Sequence, residues 1–429
     1  VQTQVILVSF NVKQKVAMAV GIGAKPTPCT QVHDLVTWLV DRGLKGASQE
    51  DILQGYCDQM VALGVPLWRF FLGQRAFHPK FGNIGFNWMA DEGVTSQVFE
   101  YRETPSEDWL QSPLFAMVEQ GLSEIRFDLR SQTDYQEFPL LVSLKERGVT
   151  DYVAAGLKFT DEDFSIESNA GSEGVLLSWS TNDPKGFDPN HLDAIRASLP
   201  HLGLALKSSA NRRMASDLLK VYLGRDAGRR VLSGEIQRGS SREINAVICL
   251  FDLRGFTSLA EQIPGAELIE MLNDYFGLAV AAIQSKGGNI LKFMGDGILA
   301  IFDLGDLEAD AVAALEAAKD LDRAVRTRNL EREAQGLTVT DFTLALHAGP
   351  LLYGNIGAEN RLDFTVIGPS VNLAARISDM HVSVGRNIIV SENVQQVAGE
   401  ASHDLVSLGR YMLRGVSEPI ELFTIYSPS

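Results

Sequence analysis

Two runs decide the fold of the C-terminal half: AVICLFDLRGFTSLA (Ala246–Ala260) and GGNILKFMGDGILAIF (Gly287–Phe302). Each reads as a buried strand that stops at an aspartate. In the first, the apolar residues Ala246 to Phe251 end at Asp252. Arg254-Gly255-Phe256-Thr257 then turns the chain into an amphipathic helix carrying Leu259, Ile263, Leu268, Met271 and Leu272. In the second, Ile290, Leu291 and Phe293 lead to Gly295-Asp296-Gly297, and Ile298 to Phe302 resumes an apolar strand. That pattern predicts a hairpin with a carboxylate at its tip. Two carboxylates at strand ends, with glycines beside them, can hold divalent metals and leave main-chain N–H groups free for a phosphate chain. A metal pair about 3.5–4 Å apart is the usual arrangement for in-line displacement at phosphorus. Taken singly, each aspartate reads just as well as a turn residue capping its strand.

The wording of both runs resembles the catalytic domain of the class III nucleotide cyclases. The resemblance continues in LHAGPLLYGNIG (Leu346–Gly357) and FTVIGPSVNLAARI (Phe364–Ile377), and spans roughly Ile244 to Ile425. It implies a ferredoxin-like palm fold and cyclisation of a nucleoside triphosphate with two divalent ions, Mg²⁺ or Mn²⁺. Asp252 and Asp296 match the family's metal-binding aspartates, with the carbonyl of Leu253 as an added ligand. Gly255, Phe256 and Thr257 match the phosphate-binding turn, with Phe256 packing on the nucleotide. Lys292 and Thr365 stand at the base-selecting positions, a pair found in a subgroup of adenylyl cyclases, some of them bicarbonate-responsive. Asn372 and Arg376, four apart on one face of a helix, match the residues that orient the ribose and stabilise the transition state. Arg414 stands where a lysine usually contacts the phosphates, with Arg410 as a nearby alternative; a planar guanidinium is not an ammonium. The resemblance further implies a head-to-tail homodimer with active sites at the subunit interface, and ATP as substrate. The alternatives are a guanylyl cyclase, which Lys292 and Thr365 count against, and a catalytically silent nucleotide-binding sensor. A diguanylate cyclase would carry a GG[DE]EF turn, which Gly287–Ile290 is not.

Composition is compatible with this. The chain has 429 residues, 45% hydrophobic and 21% charged, enough for two or three globular domains. No run reaches the roughly 18 apolar residues of a membrane span. Three cysteines without a CxxC pair form neither a disulfide framework nor a zinc site and suit a reducing cytoplasm. A formal charge of −16 argues against a nucleic-acid or anionic-membrane surface. A polyanionic nucleotide must then be drawn in by metals and local cations.

Upstream, residues 1–30 read as an N-terminal extension without a secretory apolar core. Residues 31–206 read as one regulatory domain of mixed α/β type. Helical periodicity over Asp34–Leu44 and Gln49–Leu63 precedes short strands at Leu67–Gly73, Ile84–Trp88, Gln97–Tyr101, Ile125–Asp128, Asp151–Phe159 and Gly174–Ser180. The order is compatible with a GAF-like fold, a small antiparallel sheet with helices on one side. AFHPKFGNIGFNW, GVTDYVAAGLKF, LLSWSTNDPKGF and LLKVYLGRDAGRRVLSGEIQRG also resemble regions ahead of soluble bacterial class III cyclases; this brings no established ligand and leaves open a small-molecule or ion effector, a response to pH or redox state, or stabilisation of the dimer alone. His78, followed by Pro79 and without a second ligand at metal spacing, reads as a turn residue. Residues 207–240 read as a helical signalling linker and 241–429 as the catalytic domain; Gly224–Ser241 reads as a junction with a short helix, its basic residues either placed near the catalytic entrance or, more simply, on an exposed hinge. Asp193–Leu223 is either a coiled-coil relay or a helix packed on its own domain.

Overall fold

The computed structural model describes residues 28–426 apart from 77, 102, 103, 132 and 161–173. Most of the expected N-terminal extension, residues 1–27, and Phe77 of the AFHPKF motif therefore lie outside the described residues. The chain divides into two compact units between Arg212 and Arg213.

The first unit runs α1 (Pro28–Lys45), α2 (Gln49–Ala62), β1 (Arg69–Arg75), β2 (Phe81–Met89), β3 (Gly93–Glu100), α3 (Glu107–Leu110) and α4 (Pro113–Glu119). β4 (Glu124–Asp128), α5 (Pro139–Glu146), β5 (Asp151–Lys158), β6 (Gly174–Thr181) and the long α6 (Pro189–Leu223) follow. The six strands form one sheet in the order β3-β2-β1-β6-β5-β4, each pair antiparallel. One face buries Phe70, Leu72, Leu177 and Trp179 against α1, α2 and the first half of α6. The other packs Tyr152 and Ala154 against Leu114, Met117, Leu141 and Leu144 of α4 and α5. Helices on one side only, as expected, is therefore incorrect. The strands of β5 are apolar at successive positions, not alternating ones, because both faces are covered. In α6, Leu202 and Leu206 are core residues, and Ser208 and Ser209 donate to the carbonyls of Gly43 and Ala47. This half of the helix is packed on its own domain.

The second unit opens with α7 (Arg225–Leu232), β7 (Ser241–Leu253), α8 (Phe256–Ala260), α9 (Gly265–Ser285), β8 (Asn289–Met294), β9 (Gly297–Phe302), α10 (Leu307–Ala334) and β10 (Phe342–Ala358). It closes with β11 (Arg361–Ile367), α11 (Pro369–Ser378), α12 (His381–Val384), β12 (Ile388–Ser391), α13 (Glu392–Val397), β13 (Leu405–Tyr411) and β14 (Ile420–Ile425). The sheet order is β13-β14-β12-β10-β7-β9-β8, with β11 extending β10 as an antiparallel arm. Its centre, β7-α9-β8-β9-α10-β10 in the spatial order β10-β7-β9-β8, is the expected ferredoxin-like βαββαβ arrangement.

β7 reads as a continuous apolar run because alternate residues serve two cores. Val247, Cys249, Phe251 and Leu253 face α9 and α10, while Ala246 and Ile248 face α7 and α11. Full burial of Phe251 and Phe302 contributes about 1.5–3 kcal/mol each. That holds the strand ends rigidly enough to position the groups beyond them.

One local expectation is corrected and another is refined. The single helix expected from Leu259 to Leu272 is two, α8 and α9, because Pro264 occupies the N-cap of α9 and ends the preceding segment. The junction expected over Gly224–Ser241 does contain a short helix, α7, which is docked, while residues 233–241 after it are exposed. Ala227 of α7 is buried against the sheet, and Asp226 accepts from Tyr353 Oη (2.9 Å), Arg230 Nε (2.6 Å) and Arg229 Nη2 (2.7 Å). Arg230 is thereby largely buried, whereas Arg229, paired with the same carboxylate, keeps most of its side chain exposed.

Candidate active site

Asp252 lies one residue before the end of β7, directly across from Gly297 at the start of β9. Met294 pairs with Gly297, leaving Gly295-Asp296 as a two-residue hairpin turn with Gly295 at φ 66°. A glycine at the first central position is what such a turn requires. Leu253 N–H donates to the Asp296 carbonyl at 3.3 Å, which ties the two aspartate-bearing segments together. Gly297 is needed for the same closeness: a Cβ there would stand 3.0 Å from Phe251 O and 3.1 Å from Asp252 Oδ1.

The electrostatics match a cation site. Desolvation by the strand ends, with the Asp296 charge added, pushes the Asp252 carboxyl up to about 6. No ion pair offsets either aspartate among the described residues. Two hard oxygen donors held together against their own repulsion fit a divalent ion such as Mg²⁺, which is normally held by one or two carboxylates plus substrate oxygens. Among the described residues no group of three His, Cys, Asp or Glu side chains gathers, so main-chain or substrate oxygens must complete any coordination.

The turn after β7 is fixed from behind. Arg254 N–H donates to Asp341 O (2.8 Å) and its carbonyl accepts from Thr340 Oγ1 (2.8 Å). Gly255 then takes a left-handed conformation, φ 68°, as the N-cap of α8. The N–H groups of Phe256 and Thr257 fall in the first turn of α8, where no intrahelical acceptor exists. Phe256 is half-buried and packs on the α9/α10 core, so its ring serves the fold as well as any ligand.

Lys292, on β8, donates to Asp363 Oδ2 of β11 at 2.9 Å. Thr365, two residues further along β11, is 7% exposed and shares the side of the strand that Asp363 occupies. The sequence pointed to Lys292 and Thr365 and passed over Asp363. Its signal was present, a carboxylate two positions before Thr365, but only the strand pairing makes it meaningful.

Asn372 and Arg376 are both on α11, beside the buried Ala374 and Ile377 that hold the helix to the sheet. Arg376 Nη1 donates to Gly415 O at 3.4 Å, so the loop between β13 and β14 supports the guanidinium. In that loop Arg414 is exposed and no partner is found for it among the described residues, whereas Arg410 Nη2 donates to Pro419 O at 2.8 Å. Of the two cations the sequence offered, Arg414 is the one left to meet a ligand. Three groups result: the aspartates with their glycine turn, Lys292 with Asp363 and Thr365, and Asn372 with Arg376. Among the described residues no hydrogen bond or ion pair joins one group to another.

Residues 240–427 match the adenylate and guanylate cyclase catalytic domain family. The chain is 34% identical over 160 residues to an adenylate cyclase of Anabaena cylindrica, covering 37% of this chain and 32% of that protein. It is 31% identical over 213 residues to an uncharacterised protein of Mycobacterium tuberculosis, covering 49% of this chain and 38% of that one. It thus spans about a third of the length of the curated relatives it matches. Among solved structures, the guanylyl cyclase Cya2 is 31% identical, covering 44% of this chain and 94% of that one, with a TM-score of 0.39. Among the described residues no helix is long and apolar enough to cross a membrane. Residues 240–427 are a catalytic domain of the class III adenylyl and guanylyl cyclase family.

Proposed function

We propose that the chain is an adenylyl cyclase converting ATP to 3′,5′-cyclic AMP and pyrophosphate. The observation that carries the choice of base is the cluster of Lys292, Asp363 and Thr365. Adenine presents an acceptor at N1 and an amino donor at N6, which a lysine and a threonine hydroxyl complement. Guanine presents N–H donors at N1 and N2 and needs a free carboxylate. Asp363 is that kind of group, and it favours a guanylyl reading wherever Lys292 releases it. With Lys292 on it, the adenine reading is the better supported. The adenylate cyclase among the similar proteins points the same way.

In this reading Asp252 and Asp296, with the Leu253 carbonyl, hold two divalent ions. Bound there, Mg²⁺ or Mn²⁺ would lower the pKa of the ribose 3′-hydroxyl and neutralise phosphate charge. Main-chain N–H groups at Gly255, Phe256 and Thr257 receive the phosphates. Asn372 orients the ribose, Arg376 balances charge building on the α-phosphoryl oxygens, and Arg414 meets the departing pyrophosphate. Because the three groups are separate within one chain, two chains joined head to tail supply complementary halves to each site. The first unit is read as a GAF-like regulatory domain whose antiparallel sheet is covered by helices on both faces, with α6 as its relay, in a cytoplasmic protein.

The test is incubation of the purified protein with ATP or GTP and Mg²⁺ or Mn²⁺, with products identified by mass and Asp296→Ala as control. Cyclic AMP lost in the variant supports the reading. Cyclic GMP as main product replaces it with the guanylyl alternative, and no product under any condition leaves the silent receptor.

A further inference from the structure

A second site lies in the N-terminal unit and stands independently of the cyclase reading. Across β2, β1, β6 and β5 the register places Met89, Arg69, Ser180 and Tyr152 in one row, with Asn87, Phe71, Ser178 and Ala154 in the next. Residues opposite one another and two apart share a face, here the one covered by α4 and α5. Five polar atoms on it, Arg69 Nη1, Asn87 Oδ1, Tyr152 Oη, Ser178 Oγ and Ser180 Oγ, are buried without a hydrogen-bond partner. Among the described residues only three other side-chain atoms share that condition, so the concentration on four adjacent strands is specific. Ser178 and the Arg69 charge both act on the Tyr152 hydroxyl, which groups these side chains on the face.

The charges reinforce the pattern. Arg69 stacks over Phe71, 5.4 Å from the ring centroid, and Arg147, at the C-terminal cap of α5, stacks over Trp68 at 5.1 Å. Burial and the Arg147 charge together hold the Arg69 guanidinium below its ordinary value. No carboxylate pairs with either arginine among the described residues. A guanidinium buried without a counter-charge is costly to the fold, and so is each orphaned hydroxyl. The four donors among these groups, Arg69 Nη1 and the hydroxyls of Tyr152, Ser178 and Ser180, would be satisfied together by one small anion; Asn87 Oδ1, an acceptor, would not.

We propose that this face binds a small organic carboxylate with a compact apolar body. The carboxylate takes the fork of Arg69 and the hydroxyls of Ser178, Ser180 and Tyr152, and the body packs among the apolar residues of α4 and α5. Arg147 stands at the rim. A planar carboxylate matches the single guanidinium fork of Arg69 in geometry; Arg147, exposed at the rim, is the second cation that a phosphate dianion would need.

The experiment follows tryptophan fluorescence and Tm of the full chain at pH 7 with benzoate or isobutyrate, against chloride at equal ionic strength and against inorganic phosphate. The expected result is a saturable change with at least one carboxylate, weakened tenfold or more in Arg69→Gln. Should Arg69→Gln fail to fold, Tyr152→Phe and Ser178→Ala are each expected to weaken binding severalfold. The proposal is overturned by carboxylates that act no differently from chloride, by saturation with phosphate alone, or by variants that bind like the parent. None of these readouts uses cyclase activity, so failure here is distinct from failure of the catalytic reading.

Discussion

Lys292 Nζ lies 2.9 Å from Asp363 Oδ2, an ion pair between β8 and β11 that sets how the lysine proposed to select the base is presented. Both side chains are solvent-accessible, so the pair contributes at most about 1 kcal/mol to stability. Its consequence is positional. Asp363→Ala is expected to leave Tm nearly unchanged and to raise the ratio of kcat/KM for ATP over GTP about five- to tenfold, because the carboxylate that guanine would need is gone, the worth of one hydrogen bond. An unchanged ratio would remove Asp363 from base selection.

Asp252 and Asp296 repel each other across the β7–β9 junction. Asp252→Asn and Asp296→Asn should each abolish cyclisation, yet in chelator leave Tm equal to or above the parent's. Mg²⁺ or Mn²⁺ should raise the parent's Tm and not theirs. A variant that responds to metal like the parent would show that the ions bind elsewhere.

Arg376 and the two aspartates belong to separate groups in the chain. Arg376→Ala alone should cost about 10²–10³ in rate, as for loss of one transition-state contact. Mixed with Asp252→Ala, it should regain a share of activity, because one hybrid site retains both sets. Verified heterodimers with no recovery would rule out a shared site.

Gly297 cannot carry a side chain without displacing Phe251 O or the Asp252 carboxylate, at 3.0 and 3.1 Å from its would-be Cβ. Gly297→Ala is expected to cut kcat by tenfold or more, with a Tm loss of only a few degrees. Activity within twofold of the parent would show that the aspartate has room to shift.

His347, 3% exposed on β10, faces Ser391 Oγ at 3.0 Å, and burial pushes its imidazole down to about 4. Unfolded, it titrates near 6.5. Between those values the unfolded chain binds a proton that the folded chain does not. Stability is therefore full above about pH 6.5 and falls towards pH 4, by roughly 3 kcal/mol from this residue. His347→Gln should flatten that part of the curve in denaturant titrations; an unaltered slope would assign the acid sensitivity to other groups.

Local pattern was enough for much of this protein. Apolar runs ending at Asp252 and Asp296, glycines at 255, 295 and 297, and the four-residue spacing of Asn372 and Arg376 are properties of short segments. Strand, turn and helix periodicities are written there. The break between α8 and α9 was legible too, in Pro264, once the helix had to end somewhere. What the tertiary structure alone decided is which distant residues meet. Lys292 and Asp363 are 71 positions apart, Asp226 and Tyr353 127, and the polar atoms around Arg69 come from four strands. Strand order and register bring such groups together, and neither is encoded in the period of any one segment. In the Gly224–Ser241 junction both kinds of information meet: Asp226 pairs with Arg229 and Arg230 at helical spacing, which is local, whereas Tyr353, which bonds the same carboxylate, is brought there only by the fold.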